Sequence, residues 1–151
     1  MKAALTGGLI LGGVTSVFML VSQLRTMNYD HWLQFHNFFI MTSMVFCAAI
    51  GFRAPTIGRS LADGLTFAAV FCGLYLVTYL VSTTVVVDYA EWMPYHHKSY
   101  VNSGFMSVNA FIHHKNNFTD LLKIQVAAVT MGFFFYLCAN LVGFGIRVLV
   151  K

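Results

Sequence analysis

Along the 151-residue chain, four long windows contain no Asp, Glu, Lys or Arg: 3–24, 31–52, 64–87 and 124–146, of 22, 22, 24 and 23 residues. A helix needs about 20 apolar residues to cross the hydrocarbon core of a bilayer. In lipid the backbone must bond within its own segment. Each window is therefore expected to be helical, even where Thr83, Thr84, Val85, Val86 and Val87 would favour a strand in water. The windows predict membrane-spanning helices at about 3–24, 36–53, 63–87 and 122–148, a polar loop at 88–121, and one membrane domain covering 1–151. The second window is the shortest in apolar terms, because Gln34, His36 and Asn37 make its start polar.

Composition agrees with this division. Only 9% of the residues are charged and 58% are hydrophobic, against about 25% charged in a soluble domain, which argues against an ordinary soluble enzyme. The net charge of +4 comes from basic residues scattered singly. None forms a run able to follow a phosphate backbone, so no nucleic-acid partner is expected; the excess reads as flank charge on a membrane protein. Cys47, Cys72 and Cys138 lie in apolar runs without a CxxC, as inert buried thiols do. The first window exceeds the 7–15 residues typical of a secretory signal core and is read as a helix.

With four crossings, both termini and the 53–63 connection share one membrane face, here called the terminal face. It carries Lys2, Arg53, Arg59, Arg147 and Lys151. The other face carries Arg25, Lys98, Lys115 and Lys123, a balance that sets only a weak lean towards termini on the cytoplasm-like side. The connection 88–123 is the only extended polar segment. Within it Val101, Phe105, Val108 and Ile112 recur at helical spacing, which predicts a short amphipathic helix on the membrane surface or against a partner, the alternative being a plain loop. Trp92, Tyr95 and Tyr100 join that stripe as interfacial residues.

No window holds an ionisable Asp, Glu, Lys or Arg, and such groups mark ion and proton pathways at depth. A relay carried by this chain alone is therefore not expected. No nucleophile–base set or carboxylate pair assembles on one face, so no catalytic residues are named. All six histidines fall on or near the long-loop face. His96-His97 and His113-His114 stand beside lysines that would repel a cation, and no metal is expected. His36 alone approaches the depth a haem or quinone anchor would need. The expected cofactor set is accordingly empty, with bound lipid as the one small-molecule company.

Gly8 and Gly12 form a GxxxG, extended by Gly13, which lets another helix approach closely. Helix 1 is thus expected to form the tightest packing seam, with Gly64, Gly73, Gly143 and Gly145 adding smaller openings elsewhere. Phe133-Phe134-Phe135-Tyr136 surrounds the last helix with aromatics, which suits contact with lipid and protein rather than a pore.

The paired glycines Gly7-Gly8 and Gly12-Gly13, with Arg59-Ser60-Leu61-Ala62-Asp63 between helices 2 and 3, resemble the family of mitochondrial inner-membrane protein translocase channels and their respiratory complex I relative. Those proteins have four helices, a glycine-rich first helix and an Arg-x-x-x-Asp signature at this place. The glycine pattern that follows the Asp in that family is replaced here by Val70, Phe71 and Tyr75, and Ala48 stands where the family has an aromatic. The resemblance implies a mitochondrial inner-membrane location, with a bacterial inner membrane as the alternative, and makes Arg59 and Asp63 a motif pair.

These observations together predict an all-α, four-helix integral membrane protein. The expected function is a non-catalytic structural or assembly subunit of a multi-subunit, respiratory inner-membrane complex, with other membrane subunits and lipids as partners. A protein translocase or channel component is the second expectation, and a small haem- or quinone-binding anchor the third.

Overall fold

A computed structural model of the chain describes residues 1–24, 29–81 and 118–150. Four helices make up the described residues, with no strand among them: α1 Lys2–Leu24, α2 Tyr29–Arg53, α3 Ile57–Val81 and α4 Phe118–Val150. Each is long and apolar enough to span a bilayer, and the chain is a multi-pass integral membrane protein. The amphipathic stripe at 101–112 and the aromatics Trp92, Tyr95 and Tyr100 lie outside the described residues.

The helix ends differ from those marked by charge. α2 begins at Tyr29 and α4 at Phe118, both ahead of their uncharged windows. α3 starts at Ile57, six residues before the expected 63. Pro55 ends the preceding chain direction, and Thr56 caps the new helix: its Oγ1 accepts from Arg59 N at 3.2 Å, while Ser60 N donates to Thr56 O at 2.9 Å. A threonine cap satisfies one of the donors left open in a first turn.

Arg59, read in the sequence as part of the connection, lies inside α3 as a result. Arg59 and Asp63 are inside the third span, which covers Ile57–Val81, and Asp63 is buried. The buried carboxylate is paired. Arg59 Nε donates to its Oδ2 at 3.0 Å, and its Oδ1 faces the Met1 amino nitrogen. Charge scarcity along the chain therefore marked most of each helix but cut α3 short.

α2 packs most extensively on α4 and α1 on α3, and α3 joins the two pairs through α4. Contacts between α1 and α2 and between α2 and α3 are smaller. The registers Ser43–Tyr136 and Cys47–Asn140 advance together, so α2 and α4 run parallel, as do α1 and α3, where Gly8 meets Val70 and Gly12 meets Leu74. At the centre, Phe67 stacks on Phe71 with ring centroids 5.9 Å apart, and Tyr136 meets both edge-on at 5.5 and 5.1 Å. Such edge and offset contacts suit the aromatic quadrupole.

Outward, the helices present Val17, Phe38, Met41, Val45, Phe134 and Phe135, each largely exposed. In lipid these side chains gain little by turning inward, because acyl chains are as apolar as a protein core. What fixes the helices to one another must be close backbone approach and hydrogen bonds, and both converge on one junction.

Candidate functional site

That junction lies where α2, α3 and α4 meet. On α4, Tyr136, Asn140, Gly143 and Arg147 follow at steps of four, three and four residues, which places them on one face of a helix. Asn140 is fully buried. Its Nδ2 donates to Cys47 O of α2 at 3.1 Å, and its Oδ1 accepts from Ser60 Oγ of α3 at 2.5 Å. One amide thus ties three helices.

A turn away, Ser43 Oγ lies 2.7 Å from Tyr136 Oη and also 2.7 Å from Ile40 O. The serine proton is used on the Ile40 carbonyl, so the tyrosine hydroxyl donates to Ser43. Cys47 Sγ donates to Tyr136 O at 3.3 Å. Every polar group of this cluster is answered by another, which is the condition for polar atoms to be buried without a large penalty.

Glycines make the approach possible. A Cβ on Gly51 would run into the backbone carbonyl of Asn140, and one on Gly143 into the backbone carbonyl of Ala48. A Cβ on Gly64 would come within 3.0 Å of the Asn140 side chain. α2 and α4 therefore touch backbone to backbone.

This seam is tighter than the one around helix 1, which corrects the expectation that the GxxxG would form the closest contact. Gly8 and Gly12 do face α3, but their Cβ positions would lie 3.1 Å from Val70 Cβ and 3.0 Å from Leu74 Cδ1. The nearest of those neighbours are side chains, with backbone atoms of Phe67 and Phe71 at 3.3 and 3.4 Å, whereas a Cβ on Gly51 or Gly143 would collide with a backbone carbonyl. Gly13 has nothing within 4 Å of its Cβ position.

Two further polar contacts join pairs of helices. Thr78 Oγ1 donates to Ser16 Oγ at 2.8 Å between α3 and α1. His36 Nε2 of α2 lies 3.4 Å from Tyr75 Oη of α3, at the long side of hydrogen-bond range. Thr15, Thr66 and Thr130 each bond back to the carbonyl four residues earlier at 2.7 Å. Among the described residues no three His, Cys, Asp or Glu side chains gather as metal ligands.

The residues marked in the sequence are thus divided. Gly8 and Gly12 come together with α3, and Arg59 with Asp63. Trp92, Tyr95, Tyr100, Val101, Phe105, Val108 and Ile112 are outside the described residues. Gly51 and the Tyr136–Asn140–Gly143–Arg147 stripe had not been singled out as a site. Their signal was present in the spacing: Ser43, Cys47 and Gly51 at four-residue steps on α2 form a small, polar stripe to match α4.

Comparison with protein-family models, with curated protein sequences and with solved structures finds no match.

Proposed function

We propose that this chain is a non-catalytic structural or assembly subunit of a multi-subunit membrane complex, in a respiratory setting and in the mitochondrial inner membrane. The observation that carries the reading is the closed junction at Asn140. Its amide, the Ser60 and Ser43 hydroxyls and the Tyr136 hydroxyl bond to one another and to backbone. The polar interior is used up in holding helices together, and chemistry with a partner passes to the broad apolar outside. The placement in a respiratory inner membrane is supported by the resemblance in Gly8, Gly12, Arg59 and Asp63 alone.

Depleting the chain from its native membrane tests the reading. The abundance of one membrane assembly is expected to fall while turnover per remaining assembly is unchanged. Unchanged abundance with lost turnover would contradict it.

A second reading, a component of a protein translocase, is favoured by one specific observation. Asp63 is a buried carboxylate near the start of α3, paired with Arg59, and a buried, paired acid is a candidate functional group. On that reading Gly8→Leu and Asp63→Ala impair protein import at unchanged complex abundance, whereas on the first reading abundance itself falls.

A further inference from the structure

We draw no further inference here: the strongest candidate, the exposed outward face of α2 formed by Phe38, Met41 and Val45 with the exposed Asn37 amide at its end, is a surface for which nothing in the structure shows what covers it.

Discussion

α3 meets α4 on one side and α1 on the other, and the two contacts are built differently. Towards α4 it offers Ser60 and Gly64, and the Asn140 amide crosses between helices whose backbones touch at Gly51 and Gly143. Towards α1 it offers Val70, Phe71 and Leu74 over Gly8 and Gly12, with the Thr78–Ser16 bond further along. The first contact is directional, and it sits beside the α2–α4 backbone contact, which tolerates no added atom. The second is a steric fit of side chains on small residues, with some room to adjust. In a solvent where apolar contact brings little advantage, the directional contact specifies the three-helix arrangement.

Substitutions grade that contrast. The largest effect is expected at the backbone contact: Gly51→Ala places a methyl group against the Asn140 carbonyl and should destabilise the bundle by about 3 kcal/mol or prevent its folding. Gly13→Ala on α1, open to its surroundings, should stay within about 0.5 kcal/mol of the parent. Unfolding in mixed micelles with increasing denaturing detergent compares the two directly. Similar values would remove the distinction between the seams.

Asn140→Ala is next. It removes both inter-helix bonds of the amide and leaves the Ser60 hydroxyl to find another acceptor, for an expected loss of about 2 kcal/mol. Gly8→Ala forces Val70 or the Phe67 carbonyl to shift by a few tenths of an ångström, and about 1 kcal/mol is expected. Proteolysis should sharpen this pair: α1 is expected to be released first in Gly8→Ala, and the whole bundle to loosen together in Asn140→Ala. Within the junction the smallest effect belongs to Tyr136→Phe. It keeps the ring contacts with Phe67 and Phe71 and loses only the Ser43 bond, about 0.6 kcal/mol by analogy with other inter-helix bonds in lipid. Detergent unfolding midpoints resolve this order, and a Tyr136→Phe loss exceeding that of Asn140→Ala would reverse it.

Much of the architecture was legible because the bilayer imposes so strict a rule. Residues in the four uncharged windows had to be helical, and they are wherever the structure describes them. The start of α3 was not legible by the same means. Charge content marks where side chains are apolar, whereas Thr56 and the Arg59–Asp63 pair let the helix begin among polar residues.

The junction was half visible. Asn140, Ser43 and Thr78 are polar residues inside uncharged windows, but pairing Asn140 with Cys47 and Ser60 depends on which helices become neighbours. That choice follows from long-range packing and leaves no local mark. The GxxxG drew notice to Gly8 and Gly12 because the motif is continuous in sequence. Gly51 and Gly143 are further apart along the chain and become a pair only when α2 and α4 run side by side.

The central claim is that the polar interior is spent on holding the bundle together and that the apolar exterior meets other subunits. The most direct test is the native size of the protein after gentle solubilisation of the membrane in which it resides. The account predicts migration in a discrete assembly many times larger than its own 16.9 kDa, with the other subunits present in fixed ratio. Migration as a lone chain in its detergent micelle would contradict it.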